Sequence, residues 1–285
     1  MEAEGKKRLS KQEKKKLKAA RTVESKKVKR EKRRELKKGK RKEMLERMSV
    51  GSAYAEERKE YIHEERRHTE AVTAEIQRVA VSGSWLVVDC SYSDLMSELE
   101  QGSLISQVEQ GVSMLHKEER QFFKVILAGV TGRVQGLFVR QHADRWPADV
   151  IEGDVMEIPG IQEKTIVMLS PDAEEALTDL DLSTEAYVIG GLVDRTHKKA
   201  ASLSKALERK VAVRRFPIQE TIDPVPPKQR LNLVLNINVV MHILHLKASG
   251  LSWTDVFEAA LPQRQKKILG KIQANYDKQT AEGNS

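Results

Sequence analysis

The sequence contains few of the features that mark disulfide-stabilised, secreted or membrane proteins. Cys90 is its one cysteine, so no intramolecular disulfide and no Cys-x-x-Cys metal site can form. A lone thiol suits a reducing compartment. No run of 18 apolar residues occurs, so no membrane-spanning helix and no membrane partner are predicted. The N-terminus lacks the apolar stretch of a secretory signal, and we do not expect such a signal.

Common nucleotide and metal motifs are missing as well. There is no GxGxxG after the first predicted strand, no GxxxxGK followed by Ser or Thr, and no HExxH zinc helix. Residues 129–136, GVTGRVQG, are rich in glycine but lack the Lys-Ser/Thr of a phosphate loop, and we interpret them as a turn between strands. His242 and His245 lie in an apolar segment without a nearby carboxylate, so no metal site is predicted. A metal-dependent hydrolase is therefore a remote alternative.

The positive charge of the chain is concentrated near its N-terminus. Residues 1–48 contain 22 Lys and Arg against 8 Asp and Glu, a net charge of +14, whereas the whole chain carries +8 and residues 49–285 carry −6. A solvated basic segment gains affinity for a polyanion by releasing counterions from its phosphates. We predict that residues 1–50 are a low-complexity RNA-binding arm, disordered alone or helical on RNA. Residues 26–36, KKVKREKRREL, fit a nuclear localisation signal and a generic basic tail equally well.

Beyond this arm, the hydrophobic pattern indicates an α/β fold. Residues 54–80 contain no Gly or Pro and place Glu and Arg at helical spacing, which predicts a long exposed helix within a linker at 51–82. Apolar runs predict buried strands at WLVVDC (85–90), FFKVILAGV (122–130), GLFVR (136–140), KTIVMLSPD (164–172), AYVIGG (186–191) and VAVRRFPI (211–218). Helices are predicted to begin within 91–100 and to span 201–210, 231–246 and 253–265. This alternation indicates a mostly parallel sheet, in which ligands bind beyond the carboxyl ends of the strands.

Two predicted strand ends carry residues suited to a ligand site, LSPD (169–172) and GGLVDR (190–195). Paired glycines after a strand let the backbone approach a ligand closely because no Cβ intervenes. On the pattern alone, a tight turn remains the simpler explanation of the glycines. The charged residues that follow, at 194–199, are either part of a site or a solvated charged run.

Several segments resemble the tRNA position-9 N1-methyltransferase family, S-adenosylmethionine-dependent enzymes of the SPOUT class. They are VDCSYSDLM (88–96), LSPDAEEAL (169–177), YVIGGLVDR (187–195), FPIQE (216–220) and WTDVFEAALPQR (253–264), and the resemblance covers about residues 84–265. It implies an α/β fold with a SPOUT-type trefoil-knotted, mostly parallel sheet and helices on both faces, preceded by the basic N-terminal extension. The implied methyltransferase domain spans residues 83–265, and residues 266–285 form a polar C-terminal tail.

The resemblance also implies a site for S-adenosyl-L-methionine, held mainly by backbone groups of three loops of the knot. The implied cofactor-binding residues are Leu169, Ser170, Gly190, Gly191, Arg195, Thr196, His197, Lys198, Lys199, Ala206, Ile218, Val234, Leu235 and Asn236. The family resembles working monomers, so a monomer is implied as well.

Asp194 matches the family's proposed proton acceptor. Guanine N1 carries a proton that must leave before the nitrogen can attack a methyl group, whereas adenine N1 carries none, so only guanine needs a general base. An ordinary aspartate, with a pKa of ~3.9, is a weak base at neutral pH and needs burial or neighbouring groups to strengthen it. Asp89 and Asp94 match acidic positions of the family motif and receive supporting roles; for Asp89 a helix N-cap is an equal alternative.

The implied reaction is methylation of N1 of guanine at position 9 of tRNA. Two alternatives stay open: methylation of adenine or of both purines at that position, and a non-catalytic RNA-binding or ribosome-assembly role. Position 9 lies in the folded tRNA core, so its base must be extracted at a cost of about a few kcal/mol. The basic arm would supply tRNA affinity that a body of negative net charge lacks. The expected location is the nucleus, the cytoplasm or both.

Overall fold

A parallel β-sheet forms the centre of the protein. The computed structural model describes residues 35–36, 38–39, 42, 52–193, 201–221, 234–263 and 265–267. Within them the sheet consists of β1 (Ser84–Asp89), β2 (Phe123–Ala128), β3 (Asp149–Val150), β4 (Thr165–Leu169), β5 (Glu185–Gly190) and β6 (Ala212–Arg214). The strand order is β3-β2-β1-β5-β4-β6, and every neighbouring pair is parallel. The predicted α/β class is therefore confirmed.

Helices and short 3-10 turns connect the strands. The helices are α1 (Ser52–Ser82), α2 (Glu98–Leu115), α3 (Gly132–Arg140), α4 (Ala201–Arg209), α5 (Ile218–Thr221), α6 (Ile237–Ala248) and α7 (Trp253–Ala260), and the 3-10 turns lie at 93–95, 143–145, 155–157 and 161–163. The chain divides into two compact units between Arg67 and His68, within α1. Among the described helices, none is both long enough and apolar enough to cross a membrane.

Both faces of the sheet are buried, because successive strand residues point to opposite sides and each side is covered. On one face, strand residues pack with the apolar sides of α2, α3 and α6; they include Leu86, Val88, Leu127, Tyr187 and Ile189. On the other face, Val87, Ile126, Met168 and Val188 pack with the turns at 155–163 and with Ala206 of α4. This double burial explains why the strands read as continuous apolar runs in the sequence.

Residues 136–140 are helical, so the strand predicted there is wrong. They form the second half of α3, in which Val134 and Phe138 are buried while Val139 is exposed. Val134 and Phe138 are four residues apart, which is the spacing of one helix face. The five-residue run GLFVR hides this period because Val134 lies outside it. The turn predicted at 129–136 accordingly ends where α3 begins at Gly132.

Three other elements are shorter than predicted. The strand predicted at 211–218 is limited to β6, and Ile218 begins α5. The helix predicted at 231–246 begins at Ile237; residues 234–236 are a loop, and 231–233 lie outside the described residues. The helix predicted at 253–265 has Leu261 as its C-cap, one residue before Pro262, whose ring cannot continue the helical hydrogen bonding. The boundaries of the arm, linker, domain and tail stay predictions.

β1 and β5 meet where the chain changes direction across the sheet. From β1 the chain proceeds through β2 to β3 at one edge, and then builds β4, β5 and β6 on the other side of β1. The helix after β1 covers one face of the sheet, and the helix after β5 packs on the other. Such a switch point opens a crevice beyond the carboxyl ends of the two strands. The two strands end side by side at the register pair Asp89 and Gly190.

Candidate active site

Asp89 ends β1 at the switch point and is fully buried. Both oxygens of its carboxylate have partners. Oδ1 accepts hydrogen bonds from the backbone N–H of Ser91, at 3.1 Å, and from the Ser91 hydroxyl. Oδ2 lies 2.8 Å from Nη1 of Arg209 and 3.2 Å from Nζ of Lys205. A buried carboxylate persists as an ion only with such partners.

The surroundings of Asp89 favour its ionised form. Burial by itself raises the pKa of this carboxyl, but the hydrogen bond from Ser91 and the positive charges of Lys205 and Arg209 outweigh burial and hold the pKa below its ordinary value. A carboxylate with a lowered pKa and committed oxygens is a poor proton acceptor. The geometry therefore makes Asp89 a charge partner of α4.

The N-cap alternative for Asp89 is not what the structure shows. Its side chain bonds the backbone two residues ahead, which is the bond of an Asx turn. The next α-helix, α2, is capped by Ser97 in a capping box with Glu100. The helix start predicted within 91–100 is thus present, with Ser97 as its cap.

Lys205 and Arg209 lie four residues apart on one face of α4, which is the spacing of helix neighbours. Arg209 is 10% exposed, and its Nη2 also pairs with Asp154, the residue that caps the 3-10 turn at 155–157. Burial lowers the pKa of Arg209, but Asp89 and Asp154 more than offset this and leave the pKa raised. We refer to Asp89, Asp154, Lys205 and Arg209 as the Asp89 cluster.

Lys205 has two further contacts beside Asp89. It donates a hydrogen bond to the Ser91 hydroxyl, and its Nζ lies 4.5 Å from the centre of the Tyr92 ring. An ammonium at this distance from an aromatic face is attracted by the ring quadrupole. Burial and the negative charge of Asp89 raise the pKa of Tyr92 to about 12, so its hydroxyl is protonated at neutral pH. These contacts hold the middle of α4, at Lys205, over the end of β1.

Gly190 and Gly191 are packed against protein atoms. A Cβ on Gly191 would lie 2.5 Å from the backbone oxygen of Asp89, and one on Gly190 would lie 2.6 Å from Oγ of Ser202 on α4. The backbone N–H of Gly191 donates to that same Asp89 oxygen at 2.8 Å. The glycines therefore permit the close approach of β5 and α4 to β1. Their role as cofactor-binding residues stays a prediction.

The other predicted loops are located at neighbouring strand and helix ends. Leu169 ends β4 and Ser170 follows it; the backbone N–H of Ser170 donates to the backbone oxygen of Arg214 in β6 at 3.0 Å. Val234, Leu235 and Asn236 immediately precede α6. The first backbone N–H of α6, that of Ile237, donates to the side-chain oxygen of Gln107 on α2 at 2.9 Å. Gln107 thus caps α6 from another helix and supports the loop before it.

The remaining predicted residues are more scattered. Ala206 belongs to the apolar cluster with Met168 and Val188, whereas Ile218 belongs to a separate cluster with α6 and α7, so the structure does not bring these two side chains together. Asp94 is exposed in the 3-10 turn at 93–95, in contrast to the buried Asp89. Six predicted residues lie outside the described residues: Asp194, Arg195, Thr196, His197, Lys198 and Lys199.

Sequence reasoning missed the residues that surround Asp89. Lys205 and Arg209 could have been noticed as two cations at i, i+4 in the helix that follows the paired glycines. Asp154 and Gln107 carry no comparable local signal. Across the described part of the chain, no group of three or more His, Cys, Asp or Glu side chains is placed to hold a metal ion.

The sequence is similar to that of known tRNA methyltransferases. The sequence model of the family described as tRNA (guanine(9)-N(1))-methyltransferase TRM10/TRM10A matches residues 7–266. A tRNA (guanine(9)-N1)-methyltransferase of Kluyveromyces lactis is 28% identical over 191 residues, which are 66% of this chain and 60% of that protein. The tRNA methyltransferase 10 homolog B of Mus musculus is 31% identical over 209 residues, 72% of this chain and 65% of that protein. The chain thus matches less than two thirds of the length of these relatives.

The fold is also similar to that of a solved structure. The crystal structure of full-length spTrm10 in complex with SAH superposes with a TM-score of 0.55 at 26% identity, covering 64% of this chain and 96% of that chain. The predicted SPOUT-type fold, with a parallel sheet and helices on both faces, is confirmed. Of the three predicted knot loops, residues 194–199 of the loop at 190–199 lie outside the described residues. The chain belongs to the TRM10/TRM10A family.

Proposed function

We propose that this chain transfers a methyl group from S-adenosyl-L-methionine to N1 of guanine at position 9 of tRNA. The observation that carries the proposal is the family match across residues 7–266, which includes most of the basic N-terminal segment as well as the whole sheet. The relatives in Kluyveromyces lactis and Schizosaccharomyces pombe bear this activity in their names.

The described residues of the predicted cofactor loops have a chemistry that fits S-adenosyl-L-methionine. They are uncharged, and they combine apolar side chains (Leu169, Leu235) with small residues at strand ends. Asn236 is exposed, and its side chain makes no cap hydrogen bond to α6. A mostly apolar lining with a few polar groups suits an adenosine moiety. Leu169, Ser170, Gly190 and residues 234–236 would hold the cofactor, which supplies an electrophilic methyl group.

The chain must also remove the N1 proton of guanine. Asp89 is unsuited to this step because it is buried and both of its carboxylate oxygens already bind Ser91, Lys205 or Arg209. We assign the removal of this proton to Asp194, four residues beyond the end of β5, because YVIGGLVDR matches the family motif there. Arg195, Lys198 and Lys199 are assigned to the anionic substrate.

The proposed partner is tRNA, bound largely through the N-terminal arm. Residues 1–48 carry +14 whereas residues 49–285 carry −6, so phosphate binding by counterion release belongs chiefly to the arm. We further propose that the chain works as a monomer, in the nucleus, the cytoplasm or both. Light scattering of the purified protein and imaging of a tagged chain test these two statements.

Methyl transfer to unmodified tRNA transcripts with G or A at position 9, followed by nucleoside mass spectrometry, tests the proposed reaction. We expect N1-methylguanosine from the G9 transcript and no N1-methyladenosine from the A9 transcript. Methylation of A9 would favour the adenine or dual-purine alternative. Tight tRNA binding without methylation of either would favour the non-catalytic alternative.

Asp194→Asn separates a general base from a mere charge partner. Because only guanine N1 must lose a proton, we expect G9 methylation to fall by about 10²-fold or more, the usual contribution of a positioned base. Any A9 methylation by the wild-type protein should survive in this variant. An Asp194→Asn enzyme that methylates G9 at the wild-type rate would rule out Asp194 as the base.

A further inference from the structure

Tyr92 lies at the switch point, just beyond the end of β1, and its side chain is buried at 3% exposure. Nζ of Lys205 lies over one face of the ring. One edge of the ring faces Gly190 at the end of β5, because Cε2 is 3.7 Å from the place that a Cβ on Gly190 would occupy. Cε2 is bonded to the carbon that carries the hydroxyl, so the hydroxyl end of Tyr92 lies beside the end of β5.

The hydroxyl of Tyr92 is a donor without an acceptor. Its oxygen is buried, and no described residue forms a hydrogen bond with it. The Ser202 hydroxyl at the start of α4 is near enough to offset part of the rise in the pKa of Tyr92, but the two groups do not meet the distance and angle limits of a hydrogen bond. With a pKa of about 12, the Tyr92 hydroxyl keeps its proton at neutral pH.

A buried hydroxyl without a partner lowers the stability of a protein, because it loses its hydrogen bonds to water and gains none in return. The aromatic ring supplies the packing at this place, so phenylalanine would serve the fold at least as well as tyrosine. Most buried polar groups in folded proteins are paired, and each exception needs an explanation, such as a functional role or a bound group. The orphan hydroxyl of Tyr92 therefore points to a ligand.

The position of the hydroxyl indicates which ligand this is. The carboxylate of Asp89 does not serve as the acceptor, because both of its oxygens are already bonded to other groups. Gly190, which the hydroxyl end of the ring faces, is partly exposed and is a predicted cofactor-binding residue. S-adenosyl-L-methionine carries a carboxylate, ribose hydroxyls and adenine ring nitrogens, all of which accept hydrogen bonds. A protonated hydroxyl beside Gly190 is complementary to these groups.

We propose that Tyr92 is a further cofactor-binding residue, whose hydroxyl donates a hydrogen bond to an acceptor of S-adenosyl-L-methionine bound beside Gly190. The inference rests on the proposed function, because it takes the ligand to be the methyl donor. Binding converts a buried donor without a partner into a paired one. The hydroxyl therefore costs stability in the free protein and contributes affinity in the complex.

Variants of the full-length protein test this inference. Tyr92→Phe removes the hydroxyl and keeps the ring. Tyr61→Phe is the matched control, because it removes the hydroxyl of a tyrosine that is 50% exposed on α1. Ser202→Ala, alone and combined with Tyr92→Phe, tests whether Ser202 is a partner of Tyr92. Each protein is measured by urea denaturation without ligand and by calorimetry with S-adenosylhomocysteine.

We expect Tyr92→Phe to be at least as stable as the wild type without ligand, and its Kd for S-adenosylhomocysteine to rise about three- to tenfold, the factor for one hydrogen bond. Tyr61→Phe should match the wild type in both measurements. A tyrosine with only a structural role would show the opposite pattern, with lower stability and unchanged affinity. Calorimetry with methylthioadenosine, which lacks the amino-acid part, then shows whether the acceptor belongs to the adenosine part or the amino-acid part.

Two results would overturn the inference. One is a Kd for S-adenosylhomocysteine that Tyr92→Phe leaves unchanged, which would mean that water or nothing meets the hydroxyl. The other is a loss of stability in Tyr92→Phe that disappears in the Ser202→Ala background, which would show that Ser202 already accepts the hydrogen bond. If the wild-type protein itself does not bind S-adenosylhomocysteine, the proposed function fails and the inference falls with it.

Discussion

At the scale of single residues, the two aspartates of the motif at 88–96 have different roles. Asp89 is buried and ion-paired to α4, whereas Asp94 is exposed in a 3-10 turn. From the sequence both are predicted to be supporting carboxylates, because the spacing of residues does not show which side chain is buried. Burial and partner charges are what turn Asp89 into a structural anion.

Asp89→Asn should destabilise the protein strongly. It removes the anion that Lys205 and Arg209 share and leaves their charges poorly compensated in a shielded setting. Breaking a buried ion pair from one side costs about 3–5 kcal/mol. Urea denaturation at pH 7 measures this loss, with Asp94→Asn as an exposed control that should be close to the wild type. Equal stabilities of the two variants would contradict the assignment.

The same carboxylate should make stability depend on pH in the acid range. Its pKa is lower in the folded protein than the unfolded value of about 3.9, so the unfolded chain binds more protons there. The contribution of Asp89 is complete above the unfolded pKa and is lost as the pH falls through the folded pKa. We expect the stability difference between wild type and Asp89→Asn to be constant between pH 7 and 5 and to shrink below about pH 4. A stability difference that stays constant down to pH 3 would contradict the lowered pKa of Asp89.

Gly191→Ala should be destabilising for steric reasons. The added Cβ would lie 2.5 Å from a backbone oxygen and 3.2 Å from the Cα of Cys90, and neither atom can move without shifting β1. Overpacking of this kind costs about 1–3 kcal/mol. Gly136→Ala is the control, because a Cβ there meets nothing within 4 Å in the exposed face of α3. That variant should gain about 0.5–1 kcal/mol from better helix propensity. Thermal denaturation of the two proteins should therefore shift in opposite directions.

At the scale of elements, the residues of the candidate site lie at or near the ends of helices and strands. α4 is held by the Asp89 cluster, and α6 is capped by Gln107 from α2. Each of these helices follows a predicted cofactor loop. The two helices are thus fixed by long-range contacts, α4 with the end of a strand and α6 with another helix.

Gln107→Leu should loosen the start of α6. The side-chain oxygen of Gln107 accepts the N–H of Ile237, and its loss leaves that group without this partner. We expect a stability loss of about 1 kcal/mol and faster hydrogen exchange at Ile237. Gln107→Glu keeps an acceptor at the same place and should preserve slow exchange. Identical exchange in the two variants would show that the cap has no effect.

At the scale of the whole molecule, the basic segment and the sheet carry opposite net charges. Removal of residues 1–48 takes away +14 and leaves a chain of −6. We expect tRNA affinity to fall and its dependence on salt to flatten, because fewer phosphate contacts release fewer counterions. Affinity for S-adenosylhomocysteine is the control and should be unchanged. A truncated chain with the wild-type salt slope would rule out the arm as the main tRNA contact.

Contiguous residues were sufficient to establish the fold class and the family. Apolar runs, the paired glycines and the motifs at 88–96, 169–177 and 187–195 each lie within one short segment, and burial or a tight backbone approach acts directly on such segments. The same locality explains the failure at 136–140, where a short window contained too little of the helical period.

Contacts between distant segments needed the assembled sheet. Lys205 and Arg209 reach Asp89 from 116 and 120 residues away, and Gln107 reaches Ile237 from 130 residues away. These pairs exist because the strand order places β5 beside β1 and because α2 packs on α6. Composition shows that the chain has carboxylates and cations. Only burial at the switch point selects which of them pair, since water would otherwise screen their attraction.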